Sequence, residues 1–228
     1  MINKTQLYID KAEERGIIHR DYLAHCLRWT HVMKYSRINQ TWLDIGCGTF
    51  PLAMTLYTNK LKPKLYVGVD VRKNLQIPKV NFPIEFKYGD IVDLKLTNTF
   101  DNIVCFEMLE HVEKFHAIKT LKKIASIADK KTNIFISTPN YDGKHQAANH
   151  IHEWKFSDLK EKIEKYFVIE NIYGTFASQS EIIPVLANDE LKVFNKLKTY
   201  YDSNLLSIML APLHPIESRN CLWRLRIK

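Results

Sequence analysis

The sequence predicts an α/β fold. It is a mostly parallel seven-stranded sheet with helices on both faces, ending in an antiparallel strand pair. Three observations carry this. Short apolar runs of strand length alternate with stretches of helical spacing from residue 41 to residue 166. The runs are near-continuously apolar, as strands covered on both faces must be. Beyond residue 166 the rhythm changes, because 167–173 and 221–228 both read as strands with no simple crossover between them.

In chain order, residues 5–38 read as helical, with Tyr22, Leu23, Cys26, Leu27, Trp29 and Val32 near helical spacing. A strand is expected over 41–45 and a helix over 51–59, where Pro51 suits the first helical position. Strands follow at 64–70, 84–88 and 100–106, then a helix over 109–128, a strand over 133–138 and a helix over 157–166. Between the last two strands, 189–201 has helical patterning and Pro212 and Pro215 follow it. The expectation is a single domain over 1–228. It has an N-terminal helical cap at 1–38, a ligand-binding core at 39–176, a helical insert or lid at 177–218 and a last strand at 219–228.

Composition agrees with a globular chain. Of 228 residues, 46% are hydrophobic and 25% charged, so a core of ordinary size forms without staples. A disordered tail, a disulfide-framed miniprotein and a coiled coil are excluded. No run of about 18 apolar residues exists, so no membrane partner is expected. Lys4, Asp10 and Lys11 interrupt the N-terminus, which does not read as a signal peptide. Lys plus Arg outnumber Asp plus Glu by 33 to 25, a net charge of +8 that favours acidic partners. Cys26, Cys47, Cys105 and Cys221 match no zinc or redox spacing, which points to a reducing, cytoplasmic compartment. Nothing in the sequence bears on oligomeric state.

The chain has seven glycines, and two stand in Leu43-Asp44-Ile45-Gly46-Cys47-Gly48-Thr49, between a strand and a helix. Glycine there permits a tight turn and close approach of a ligand to the backbone. The next strand ends in Val69-Asp70, the third is followed by Gly89-Asp90-Ile91 and the fourth ends in Phe106-Glu107. Four successive strand ends thus bring polar or acidic groups to one sheet edge, where open α/β sheets bind ligands. An acid some 20–26 residues beyond the first turn suits a ribose diol.

The set LDIGCGT, YVGVD, YGDIVDL and FDNIVCFEMLEHV resembles the class I S-adenosylmethionine-dependent methyltransferases over roughly residues 40–175. The resemblance implies a Rossmann-like fold with S-adenosylmethionine as cofactor. By it, Asp44, Gly46 and Gly48 line the methionine part and Asp70 takes the ribose hydroxyls. Asp90 and the Ile91 backbone meet the adenine, and Phe106 and Glu107 close the pocket beneath the sulfonium. The chain departs from the family pattern at Phe50, which replaces a glycine and is expected to narrow the pocket. Pro51, at the third position of a GxGxxG count from Gly46, disfavours a dinucleotide.

Groups able to assist transfer cluster in Glu107-Met108-Leu109-Glu110-His111 and in Asn149-His150-Ile151-His152-Glu153-Trp154. If a helix begins at the first cluster, Glu107, Glu110 and His111 share a face. His111, Glu110 and His152 are the candidate catalytic residues, with a histidine as general base. Alternatively Glu107, Glu110, His111 and His150 bind a divalent metal, magnesium, manganese or zinc. A third possibility is structural: a helix-capping acid and a packed histidine. The ExxEH run resembles those of ubiquinone-pathway O-methyltransferases and of small-RNA 3′-terminal 2′-O-methyltransferases. Anchoring on Glu153-Trp154, the latter resemblance maps a further histidine onto His150. Arg28 or His31 is a candidate contact for a substrate carboxylate or phosphate. The expected function is methyl transfer to an O or N acceptor on a small molecule. The alternatives are a nucleic-acid methyltransferase of the 2′-O type and an inert cofactor-binding partner protein.

Overall fold

The computed structural model describes residues 20–144 and 146–228. The part of the N-terminal helical expectation before residue 20, and the loop residue His145, lie outside them. The elements run α1 (Arg20–Tyr35), β1 (Thr41–Ile45), α2 (Pro51–Thr58), β2 (Leu65–Asp70), β3 (Ile84–Tyr88) and β4 (Asn102–Phe106). They continue with α3 (Lys114–Ile127), β5 (Asn133–Pro139), α4 (Phe156–Glu164), β6 (Phe167–Phe176), α5 (Gln179–Ile182), α6 (Asn188–Leu197), α7 (Ser203–Leu210) and β7 (Asn220–Ile227).

The strands form a seven-stranded sheet in the order β3-β2-β1-β4-β5-β7-β6. The pairs β1–β2, β1–β4, β2–β3 and β4–β5 are parallel, and the β5-β7-β6 end is antiparallel, with β6 at the edge. β5 is buried along its whole length and β1 and β2 almost so, whereas the edge strand β6 is only partly buried, as central and edge positions require. The chain leaves β1 toward β2 and β3, then returns to β4 on the other side. The switch point therefore lies between the carboxyl ends of β1 and β4.

By compactness the chain divides into two units. One comprises Trp29–Asn171 with Trp223–Lys228, and the other Ile172–Leu222 with the described residues up to Arg28. The second has its own core of Ala177, Ile182, Leu186, Phe194, Leu206 and Ala211.

Two expectations change. The buried stripe of α1 is Ala24, Arg28, Trp29 and Val32. Arg28 is held by Asn220 Oδ1 at 3.3 Å and His25 Nδ1 at 2.6 Å, so it serves the fold of its own unit rather than a substrate. The helix expected from residue 109 begins at Lys114. Residues 109–111 form one 3₁₀ turn, because the Glu110 carbonyl accepts from the Ile151 and His152 amides at 2.8 and 3.2 Å instead of from a helical neighbour.

Candidate functional site

The loop after β1 is pinned to β2 and turned by its glycines. The amides of Gly46 and Cys47 both donate to the Val69 carbonyl, at 2.8 and 3.1 Å. Gly46 and Gly48 have φ of 75° and 56°, the left-handed region that glycine occupies without strain. A Cβ on Gly46 would stand 3.1 Å from Met108 Cγ, so the β1 and β4 ends meet at the switch point across a bare backbone.

Phe50 does not narrow this loop. It is fully buried, and its ring lies 6.4 Å from that of Tyr66 and 6.1 Å from that of Phe86. A Cβ on Gly68 would approach Phe50 Cε1 to 2.5 Å. The glycine in YVGVD thus makes room for the ring, which enters the core instead of the ligand side.

Asp44 is buried, and its carboxylate accepts from the Tyr66 hydroxyl. Burial pushes it up to about 7 against the Tyr66 bond, and Asp70 adds to the rise. Asp70, the last residue of β2, accepts from Gly48 N at 2.9 Å and from Arg72 N, Nε and Nη2 at 2.9, 3.0 and 2.9 Å. Burial pulls Asp70 upward, but the hydrogen bonds of Arg72 and Gly48 outweigh it and hold the carboxyl below its ordinary value. Burial, then Asp44 and Asp70, push the Cys47 thiol upward, so that it stays protonated and is no nucleophile. Asp90 caps its own turn through Val92 N at 2.9 Å and meets His116 Nε2 at 2.8 Å, with Ile91 buried beside it.

The second cluster assembles from the loops after β4 and β5. Glu110, His111 and His150 offer ligand atoms all within 4.8 Å of one another. Each is oriented from behind. Thr138 Oγ1 donates to Glu110 Oε2 at 3.0 Å, His111 Nδ1 lies 3.1 Å from the Asn149 carbonyl, and His150 Nδ1 lies 2.6 Å from Glu153 Oε1. A carbonyl and a carboxylate accept only, so both Nδ1 atoms donate, and in the neutral ring each Nε2 carries the lone pair. Glu107 does not join this group, contrary to the expected four-ligand set. Its φ of 49° takes it off any helical face, and its Oε1 accepts from Ser137 Oγ at 2.7 Å. His152 also stays outside, stacked edge-on to Trp154 at 5.0 Å. Burial and then Lys114 lower its pKa.

The sequence reading missed Arg72, Met108, Ser137 and His116. Arg72 had a signal, because a guanidinium two residues beyond a strand-end acid reaches back in bidentate fashion. Met108 and Ser137 had none, since their places follow from strand order.

A family model described as a methyltransferase domain matches residues 18–178. The chain is similar in fold to the N-methyltransferase NodS from Bradyrhizobium japonicum WM9 in complex with S-adenosyl-L-homocysteine. That match has a TM-score of 0.56 at 12% identity, over 91% of this chain and 86% of that one. It is similar to the small RNA methyltransferase HEN1, with a TM-score of 0.59 at 17% identity over 89% of this chain and 26% of that one. It is also similar to the Burkholderia thailandensis 1,6-didemethyltoxoflavin-N1-methyltransferase, with a TM-score of 0.58 at 14% identity over 97% of this chain and 84% of that one. A comparison with curated protein sequences gives no match. The family match runs from the start of α1 past the end of β6, well over half of the chain, and the chain belongs to the S-adenosylmethionine-dependent class I methyltransferases.

Proposed function

We propose that the protein transfers a methyl group from S-adenosylmethionine to an oxygen or nitrogen atom of a small-molecule acceptor. The observation that carries this reading is the bare Gly46–Gly48 loop at the switch point, flanked by the carboxyl groups of Asp44 and Asp70. The residues fit the cofactor's chemistry. A side chain at Gly46 would fill the space before Met108, and the two carboxyl groups match an amino-acid ammonium and a ribose diol. Asp90 and Ile91 serve the adenine, and Phe106 and Glu107 close the site beneath the sulfonium. When bound, the cofactor supplies a methyl group activated by positive sulfur.

The chain's part is to bind, align and take a proton from the acceptor. His111, fixed through Nδ1, presents Nε2 as a base, and Glu110 holds the turn on which it sits. His152, with its lowered pKa, is neutral near pH 7 and able to accept a proton. All four lone-pair directions of Asp70 are engaged in this structure. The Arg72 side chain is 55% exposed while that of Asp70 is 6%, so the guanidinium has solvent to swing into, and ribose hydroxyls would take its place on Asp70.

Calorimetric titration with S-adenosylhomocysteine tests the cofactor assignment. Asp70→Ala should weaken binding by about 10- to 100-fold, the worth of charged hydrogen bonds. Equal affinity in the two proteins would refute it.

A second reading is favoured by one observation, the approach of Glu110, His111 and His150 within 4.8 Å. A carboxylate and two imidazoles suit magnesium, manganese or zinc, and Glu153 behind His150 is the outer partner that metal-bound histidines have. With such an ion the protein would be a nucleic-acid methyltransferase of the 2′-O type, whose RNA binding weakens steeply with salt. Titration with Mn²⁺ followed by electron paramagnetic resonance should then show one site that His150→Ala removes. Spectra of free ion throughout would sink this reading.

A further inference from the structure

At the end of the sheet opposite the acidic strand ends lies a cavity of about 360 Å³. Lys34, Arg37, Arg224 and Arg226 line it, and Gln40 and Asn133 stand at the starts of β1 and β5. The seven residues of β5, at about 3.3 Å each, separate the two ends by about 20 Å. This cavity is therefore no part of the site proposed above, and the inference drawn from it does not rest on the cofactor reading.

Its charge is lopsided. Arg224 Nη2 meets Glu170 Oε2 at 2.7 Å and Arg226 Nε meets Glu170 Oε1 at 3.2 Å. One carboxylate thus faces two guanidinium groups. Among the described residues Lys34 and Arg37 hold no ion pair, and both are exposed. The guanidinium groups are also held in place. Arg224 lies over the Tyr35 ring, 3.6 Å from its centroid, and Arg226 Nη1 donates to the Lys131 carbonyl at 2.6 Å. A preset guanidinium loses little freedom on binding and matches the oxygens of a phosphate. Tyr35, Ser36, Gln40 and Asn133 complete the lining. The volume exceeds what a bare phosphate needs and lies at the lower end of ordinary ligand cavities.

We infer that this cavity is a second binding site that takes a terminal phosphate monoester carried on a nucleotide. The nucleotide is either free or the 5′ end of a strand. Lys34 and Arg37 supply the unpaired charge, Arg224 and Arg226 supply the oriented donors, and the sugar and base occupy the remaining volume. Arg224 Nε, buried without a hydrogen-bond partner, shows that the fold holds this guanidinium here although its donors are not all satisfied.

The test is calorimetric titration of the whole protein with S-adenosylhomocysteine saturating, so that the strand-end site is filled. Uridine monophosphate is compared with uridine, and a short single-stranded oligonucleotide bearing a 5′-phosphate with the same strand bearing a 5′-hydroxyl. The Lys34→Ala, Arg37→Ala double variant changes only exposed side chains, so it should fold as the wild type does; its melting curve checks this. The phosphate form should bind in preference, and the double variant should weaken it by about tenfold. Preference within the uridine pair identifies a free nucleotide as the ligand, and preference within the oligonucleotide pair alone identifies a strand end. Equal binding with and without the phosphate, no binding, or unchanged affinity in the double variant would each overturn the inference.

Discussion

Asp44 is both buried and acidic, and the two facts oppose each other. With a folded value of about 7 and an ordinary unfolded value near 4, it keeps a proton that the unfolded chain releases between those two pH values. A group raised on folding stabilises fully below its unfolded value, and that stabilisation is lost as pH rises through the folded value. Asp44→Asn has no such titration, and its amide oxygen still accepts from the Tyr66 hydroxyl. Relative to the wild type, the variant should therefore gain stability from pH 4 to pH 8, by up to about 4 kcal/mol at roughly 1.4 kcal/mol per unit. Urea unfolding at the two pH values measures the difference. Parallel behaviour of the two proteins would show that Asp44 ionises freely in the fold.

At the scale of elements, α2 and β2 are locked together by one residue on each. Phe50 precedes α2 with φ of 60° and sends its ring over Gly68 of β2. Gly68→Ala would bring a methyl group to 2.5 Å from Phe50 Cε1 and 2.8 Å from Cys47 Sγ. Overpacking of this kind costs about 1–3 kcal/mol, and Phe50→Leu in the same chain should recover part of it. A double-mutant cycle read by thermal unfolding tests the coupling. Additive effects would mean that the strand moves away and the ring is not what Gly68 accommodates. This pair also marks how far the sequence could be read. The glycines, the acids and the seven strands were legible because each is announced within a few residues by period, turn chemistry or an apolar run. Phe50 was legible only as a departure, since where its ring goes depends on a glycine one strand away. The spacing of Glu107, Glu110 and His111 allows a helical face, and the helix is expected from residue 109. The tertiary bonds from Ile151 and His152 to the Glu110 carbonyl decide otherwise, and no local pattern announces them. The same bonds explain why Glu110, His111 and His150 converge while Glu107 is left to Ser137.

Over the whole molecule, what escaped the sequence was the make-up of the insert, where α5, α6 and α7 stand. The insert reads as one helix because α5 and α7 are short and prolines interrupt their flanks. The box of Ser178 and Glu181, with Ser178 N donating to Glu181 Oε2 at 2.6 Å, was a local start signal that stood in plain view. The last strand, by contrast, was readable from alternation alone, and the sheet order gives it a consequence for stability. β7 sits between β5 and β6, so it is an interior strand supplied by the end of the chain. Ending the chain after Asn220 removes the buried Leu222, Trp223 and Leu225, at about 1.5–3 kcal/mol each. It also leaves facing edges of β5 and β6 unpaired. Those losses rival the whole stability of a typical domain, about 5–15 kcal/mol. The shortened chain should therefore lose its cooperative unfolding transition, monitored by circular dichroism during heating. Removing only Ile227 and Lys228, which lie at the partly open end of the strand, should preserve it. A sharp transition in the chain ended at Asn220 would show that β5 and β6 close the sheet without β7.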